Sequence, residues 1–264
     1  MNKPKLTIIE PFGYCEGVNF IISQLKQFKN DNDSFYIIDD LIHNNFFKEE
    51  IFDLNLIKVN TVNDIPANST IIWPGHGHTI EEEKLANDLH LKQIDCTCPY
   101  LKGLFNRINN SKDKFIYYGK PEHRESKTFL SFDNVEPFDE TNSVNEGLLI
   151  NQSTIVPNYN NDILRRYKII NTTCPKVLER IKKFSEALNS NCFAIVCGHN
   201  NSSNCRTLFD VACNKIGKEK AALIESASDL DNLNLTNCLE IVLVSATSVP
   251  NKIVEQIINK IKSL

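Results

Sequence analysis

The chain has 264 residues, of which 41% are hydrophobic and 23% charged, and its 33 acidic residues outnumber 29 basic residues for a net charge of −4. Such a composition is typical of a globular protein and excludes intrinsic disorder and collagen. Without an excess of positive charge, binding to nucleic acid or to an anionic membrane surface is not expected. The apolar runs are shorter than the roughly 18 residues that cross a bilayer, and Glu10 interrupts the N-terminal run. We therefore expect a cytoplasmic protein.

Short apolar runs alternate with amphipathic segments along the chain, which predicts an α/β fold. The predicted strands cover residues 6–9, 35–38, 70–73, 115–118, 148–150, 193–196 and 239–244. Apolar residues recur with helical spacing in residues 18–25, 101–108 and 253–261. These segments are predicted to be helices that pack one face against a sheet.

Three cysteines recur about one third of the chain apart, at Cys15, Cys98 and Cys174. Each lies between a predicted strand and a predicted helix, and Pro follows two of them at a position that suits the first residue of a helix. This pattern predicts three similar α/β units, over residues 1–98, 99–172 and 173–264.

A thiol at the N-terminus of a helix is favoured as thiolate, which is the form that binds soft metals. One thiolate from each of three units would supply three metal ligands and leave a coordination position open. Three unrelated half-buried cysteines are an equally weighted alternative, and Cys96 is a second candidate beside Cys98. The cysteines in apolar segments are expected to be small core residues: Cys192, Cys197, Cys213 and Cys238.

Two predicted strands near the C-terminus are followed by polar residues whose backbone N–H groups could bind a ligand. Residues 198–204 contain Ser202, Ser203 and Asn204 at a predicted helix start, where phosphate commonly binds. Ser248 follows the last predicted strand in the same way. Simple helix capping is the alternative for each single residue.

Several histidines lie where a predicted strand passes into a helix, at His43, His76, His78 and His123. A single histidine in a loop is usually a surface residue, whereas several that converge would bind an anion. His123-Arg124-Glu125 also sets a carboxylate beside two potential cations, where the pKa of a proton donor could be tuned. An exposed salt bridge at a helix start is the alternative.

The motifs occur in a specific order along nearly the whole chain. They are Phe12-Gly13-Tyr14-Cys15-Glu16-Gly17-Val18, His43-Asn44, Gly75-His76-Gly77, Thr97-Cys98-Pro99, His123-Arg124-Glu125, Asn151-Gln152-Ser153-Thr154, Thr173-Cys174, Asn201-Ser202-Ser203-Asn204 and Ser248-Val249-Pro250. This ordered set resembles the 4-hydroxy-3-methylbut-2-enyl diphosphate reductase family, also called IspH or LytB.

The resemblance implies a trefoil of three α/β domains around a 4Fe-4S cluster held by Cys15, Cys98 and Cys174, which selects Cys98 over Cys96. It implies that Glu125 is the catalytic acid, supported by Ser153 and Thr154. The residues that it places around the substrate diphosphate are His43, His76, His123, Ser202, Ser203, Asn204 and Ser248.

The reaction that the resemblance implies is the reductive dehydroxylation of 4-hydroxy-3-methylbut-2-enyl diphosphate to isopentenyl and dimethylallyl diphosphate. This is the last step of the non-mevalonate pathway of isoprene biosynthesis. Glu125 would relay protons, and a ferredoxin or flavodoxin would supply electrons one at a time.

The sequence departs from the family at two positions near these motifs. Arg124 stands where the family usually has Pro, and Val177 lacks a hydroxyl that contributes to the family's diphosphate site. We hypothesise that Arg124 or Lys176 compensates with positive charge. Two alternatives stay open at this point, a non-catalytic iron–sulfur or redox-sensing relative and a metal-free α/β module that binds a phosphorylated ligand.

Overall fold

The structure, a computed structural model, describes residues 3–28, 33–42, 54–139, 147–235 and 238–263. In these ranges the chain forms three four-stranded parallel sheets with helices between the strands, which confirms the predicted α/β class. None of the helices in the described ranges has the length and apolar character of a membrane span.

Strands and helices alternate through most of the chain. In chain order they are β1 (Lys5–Ile8), α1 (Glu16–Lys26), β2 (Ser34–Ile37), β3 (Asn55–Lys58), β4 (Thr70–Trp73), α2 (Ile80–Asp88), β5 (Lys92–Asp95), α3 (Pro99–Asn109), β6 (Phe115–Tyr118), α4 (Arg124–Leu130), β7 (Val135–Pro137), β8 (Leu148–Asn151), α5 (Asn161–Arg166), β9 (Lys168–Ile169), α6 (Pro175–Ala187), β10 (Cys192–Cys197), α7 (Ser203–Ile216), β11 (Ala221–Ile224), β12 (Glu240–Ser245) and α8 (Asn251–Ser263). Short 3-10 helices cover Val62–Asp64, Lys218–Lys220 and Ala227–Asn232.

The three sheets share one strand order. The first sheet is ordered β3-β2-β4-β5 and the second β7-β6-β8-β9. The third sheet is ordered β11-β10-β12-β1, so that the N-terminal strand takes the fourth position beside the last strand of the chain. This repeated order confirms three similar α/β units, while the predicted boundaries after residues 98 and 172 stay a prediction.

The described residues form two compact units. One contains the residues up to Glu16 and those from Cys174 onward, and therefore the third sheet. The other contains the described residues within Gly17–Ile42 and within 54–173, and therefore the first and second sheets. In each sheet the strands are parallel, so the loops that leave their carboxyl ends lie along one edge, which is where α/β proteins bind ligands.

The helices bury the apolar faces that their spacing predicts. In α1 these side chains are Val18, Ile21, Ile22 and Leu25, in α3 Leu101, Leu104, Phe105 and Ile108, and in α8 Ile253, Ile257, Ile258 and Ile261, all buried. Each such side chain contributes about 1.5–3 kcal/mol when it is fully removed from water. These contacts fix the helix starts, and with them the polar loops, against the sheet edges.

Candidate functional site

Glu125 is a fully buried carboxylate in the first turn of α4, which follows the carboxyl end of β6. Ser153 follows the adjacent strand β8, and the two strands pair in parallel, which brings both residues to one sheet edge. Ser153 donates its amide to Oε1 of Glu125 at 2.7 Å and its hydroxyl to Oε2 at 2.6 Å. The Tyr117 hydroxyl also contacts Oε1, at 3.4 Å. Among the described residues, the groups that donate to this carboxylate are therefore uncharged.

Burial raises the pKa of Glu125 to about 7, although the hydrogen bonds from Ser153 and Tyr117 favour the charged form and lower the pKa. The sequence suggested that neighbouring cations tune this group, and that expectation is wrong. Arg124 points elsewhere, since its Nη2 lies 2.6 Å from Oε2 of Glu82 and its Nε donates to the Gly77 carbonyl at 3.1 Å. A carboxyl group with this pKa can both hold and release a proton near neutral pH.

His123 caps the N-terminus of α4, and its Nδ1 accepts the amide hydrogen of Glu125 at 3.2 Å. Because Nδ1 acts as an acceptor, the ring keeps its proton on Nε2. His76 follows β4, and its ring meets that of His123 edge to face at a centroid distance of 5.0 Å. The structure thus brings together two of the predicted anion-binding histidines. His43 lies outside the described residues.

The side-chain amides of Asn151 and Gln152 hold the loop that carries Ser153. Gln152 accepts the Lys120 amide at Oε1 and donates Nε2 to the Thr154 hydroxyl at 2.8 Å. Asn151, which is also buried, donates to the Thr173 hydroxyl at 2.8 Å. Thr154 adjoins Ser153 and is held by Gln152.

In the other unit, the predicted anion-binding residues follow β10 and β12 of the third sheet. Ser202 is the N-cap of α7 and accepts the Cys205 amide at 3.4 Å. Asn204 is buried in the first turn and donates to the Thr247 hydroxyl at 2.9 Å. Ser203 and the half-buried Ser248 occupy the neighbouring positions, Ser203 in the same turn of α7 and Ser248 next to Thr247.

Thr247 also holds the segment that carries Cys15, because its carbonyl accepts the Cys15 amide at 3.0 Å. Cys15 directly precedes α1, and Gly13 before it adopts a φ of +76°. A side chain at Gly13 would overlap Asn251, whose Oδ1 accepts the Tyr14 amide at 3.2 Å. The site therefore requires Gly at this position.

The three predicted metal ligands share one local setting. Cys98 is the N-cap of α3 and Cys174 the N-cap of α6, each with Pro at the first helical position, and Cys15 precedes α1. All three are half-buried. Cys96, in contrast, is fully buried and burial raises the pKa of its thiol to about 12. The donor set therefore fits an iron–sulfur group, whose ligands are accessible thiolates, and it favours Cys98 over Cys96.

No three His, Cys, Asp or Glu side chains of the described residues are grouped so as to hold a metal ion. Cys15 and Cys174 belong to one compact unit and Cys98 to the other. Of the four cysteines predicted to be core residues, Cys192 and Cys197 are buried in β10, whereas Cys213 and Cys238 are only half-buried, so the prediction is wrong for these two.

Sequence reasoning missed the residues that support the site. Thr247 contacts both Asn204 and the Cys15 amide, and Tyr117 contacts Glu125. A single Thr or Tyr at the end of a strand has no distinctive spacing. Thr247 follows the last predicted apolar run and Tyr117 lies inside another, so only a position at the carboxyl edge of a parallel sheet could have indicated these two residues.

Residues 6–262 match the family described as LytB protein. The 4-hydroxy-3-methylbut-2-enyl diphosphate reductase of Dictyoglomus thermophilum is 26% identical, over 98% of this chain and 96% of that protein. The protein of the same name from Petrotoga mobilis is also 26% identical, over 95% of this chain and 96% of its own length. The solved E-1-hydroxy-2-methyl-but-2-enyl-4-diphosphate reductase of Plasmodium falciparum has the same fold, with a TM-score of 0.84, 20% identity, and coverage of 98% of this chain and 88% of that one. The chain belongs to the LytB family.

Proposed function

We propose that this chain is an iron–sulfur oxidoreductase that converts 4-hydroxy-3-methylbut-2-enyl diphosphate to isopentenyl and dimethylallyl diphosphate, the terminal step of the non-mevalonate pathway. The family match over residues 6–262 supports the reaction. The observation that carries the proposal is the buried Glu125 carboxyl, held by Ser153, with a pKa raised to about 7. Loss of a hydroxyl as water requires a proton, and this group can supply one.

Glu125 is the proton donor of this proposal. In its protonated form it holds the proton at one oxygen, while the Ser153 amide and hydroxyl fix the plane of the carboxyl group. After transfer, the same two donors stabilise the carboxylate. Burial keeps bulk water from this group and leaves its pKa near the working pH. Thr154 supports the loop through Gln152.

The substrate diphosphate is bound, in this proposal, by His76, His123, Ser202, Ser203, Asn204, Ser248 and also His43, which lies outside the described residues. Nε2–H of His123 is a donor, because Nδ1 accepts from the helix. Ser202, Ser203 and Asn204 begin a 14-residue helix, whose first N–H groups and dipole favour an anion. A diphosphate can thus be bound without an excess of lysine and arginine.

Cys15, Cys98 and Cys174 are the proposed ligands of a 4Fe-4S cluster. When bound, that cluster supplies electrons and a Lewis-acidic iron with an open coordination position. Each thiol lies at the N-terminus of a helix of 11 or 13 residues. A small one-electron donor such as a ferredoxin or flavodoxin is the proposed redox partner.

The proposal is tested by iron and sulfide content per chain and electronic absorption of protein purified without oxygen. We expect about four irons and four sulfides per chain, and loss of iron in C15S, C98S and C174S. C213S is the matched control, because Cys213 is also half-buried but lies within α7 and not at its start. Turnover of the allylic diphosphate is then measured with dithionite and a dye as electron source.

Iron in the wild type and in C213S, together with its loss from the three variants and with turnover, is the expected result. A wild type without iron, or iron that persists in all three variants, would reject the ligand assignment. If the wild type holds the cluster but shows no turnover, the proposed reaction is rejected and a redox-sensing relative is favoured.

A further inference from the structure

Arg180 is a buried cation within the unit that contains Cys15 and Cys174. It lies in the second turn of α6, the helix whose N-cap is Cys174, and is only 5% exposed. Its Nη1 donates to the Ser245 carbonyl at 2.8 Å, to the Gly13 carbonyl at 3.1 Å and to the Ser245 hydroxyl at 3.4 Å. These three acceptors are uncharged.

A buried guanidinium is costly to remove from water, and such groups are normally paired with a carboxylate. Among the described residues Arg180 forms no ion pair with one. Burial lowers the pKa of Arg180, while interactions with Cys15 and Glu179 raise it. Arginine nevertheless keeps its proton in proteins. The fold therefore holds a positive charge close to Cys15.

Ser245 couples this charge to the loop that carries Cys15. Its hydroxyl accepts the Gly13 amide at 2.8 Å while the same oxygen contacts Arg180. Gly13 is thus held at both its N–H and its carbonyl, two residues before Cys15. The Cys15 amide is fixed in turn by Thr247, two residues after Ser245. Arg180 completes a hydrogen-bonded connection between α6 and the Cys15 loop.

We infer that Arg180 is a positioning residue that fixes the Cys15 loop to α6 and supplies a buried positive charge that raises the reduction potential of the metal centre. This inference rests on the proposed function for the identity of that centre, but the positioning role stands on the contacts within this unit. A thiolate-bound cluster is anionic, so a fixed cation nearby favours the reduced state, which carries one more negative charge. Arg180 has this effect without being an iron ligand itself.

The test compares R180Q, which removes the charge, with R180K, which keeps it. K182Q is the matched control, because Lys182 is an exposed cation of the same helix. All are full-length proteins purified without oxygen. The measurements are iron content, a redox titration followed by electron paramagnetic resonance, and hydrogen exchange of the amides of Gly13, Tyr14 and Cys15.

For R180Q we expect wild-type iron content and a roughly tenfold lower ratio of reduced to oxidised cluster at a given solution potential, which is about 59 mV for a one-electron couple. We also expect roughly tenfold faster exchange of the Gly13 amide, from the loss of one charge-assisted contact. R180K should have the potential of K182Q. If R180Q matched K182Q in both measurements, or if R180K lost as much potential as R180Q, the inference would be overturned.

Two further outcomes also test the inference. If R180Q does not accumulate as folded protein, R180K is decisive: a potential equal to that of K182Q supports the role of the charge, and a lowered one contradicts it. If the wild type holds no iron, the proposed function fails by itself. The hydrogen-exchange rates then decide on the positioning role. That role is rejected if the Gly13 amide exchanges as slowly in R180Q as it does in K182Q.

Discussion

Ser153 donates two hydrogen bonds to the Glu125 carboxylate, one from its amide and one from its hydroxyl, and each reaches a different oxygen. The two residues follow neighbouring strands of the second sheet, so the contact depends on the pairing of β6 with β8. Because Glu125 has no access to solvent, these donors take the place of water around it. The carboxyl group is therefore fixed in orientation while its proton affinity stays high.

Replacement of Glu125 with Gln removes the proton but keeps the size of the side chain. We expect iron content to be unchanged and kcat to fall roughly 100- to 10,000-fold, the usual contribution of a general acid. The measurement is steady-state turnover of the allylic diphosphate by the cluster-loaded protein. E136Q is the matched control, since Glu136 is an exposed carboxylate of the same sheet. Turnover of E125Q equal to that of E136Q would remove Glu125 from the mechanism.

Glu125 should also make the stability of the fold depend on pH. Its pKa is about 7 in the folded chain and 4.5 in the absence of burial, so its favourable contribution is complete below pH 4.5 and is lost as the pH rises through 7. Between pH 4.5 and about pH 8 the free energy of unfolding of the wild type should fall by about 3 kcal/mol relative to that of E125Q, because the glutamine side chain in that variant cannot ionise. Urea unfolding of the metal-free chain across this range measures the difference. Parallel curves for the two proteins would show that Glu125 keeps an ordinary pKa.

Much of the fold could be predicted because the central strands are apolar runs. The predicted strands at residues 70–73 and 115–118 agree with β4 and β6. The strand β5, in contrast, has the sequence Lys-Gln-Ile-Asp and shows no such run. The pairing of β1 with β12 joins the two ends of the chain, and no local pattern indicates it.

The motifs located the site residues, but not their contacts. Arg124 and Glu125 are adjacent in sequence, and adjacent side chains on a helix point in different directions. Arg124 accordingly pairs with Glu82 of α2, whereas Glu125 turns into the core toward Ser153. Lys176 likewise pairs with Glu16 at 3.0 Å on the surface. These contacts favour structural roles for both cations over the predicted compensation at the diphosphate site.

The proposed anion site can be tested by adding a negative charge at Asn204. N204D keeps the shape of the side chain but puts a negative charge at the start of α7. We expect inorganic diphosphate to bind at least roughly tenfold more weakly, because like charges repel at a site with little access to water. N191D is the matched control, since it adds the same charge at the opposite end of β10. Titration calorimetry with inorganic diphosphate measures both, and equal affinities for N204D and N191D would place the anion elsewhere.

The pair of Arg124 with Glu82 should stabilise the unit that contains both residues. Arg124 is buried, Glu82 is 21% exposed, and Oε2 of Glu82 also accepts the Thr79 amide at 2.8 Å. R124M removes the cation that faces this carboxylate and the donor to the Gly77 carbonyl, so we expect the free energy of unfolding to fall by about 2–4 kcal/mol. The double variant R124M/E82Q should lose less than the sum of the single variants, with a coupling energy of about 1–3 kcal/mol.

The exposed pair of Lys114 with Glu136, at 2.8 Å, is the matched control, with both side chains about half exposed. Its coupling energy should be below about 1 kcal/mol, because solvent screens the charges and the side chains are free to move. Double-mutant cycles in urea unfolding measure both pairs under the same conditions. A coupling energy for Arg124 with Glu82 as small as that of the surface pair would mean that the short contact adds nothing to stability, and Arg124 would again be a candidate for binding an anion.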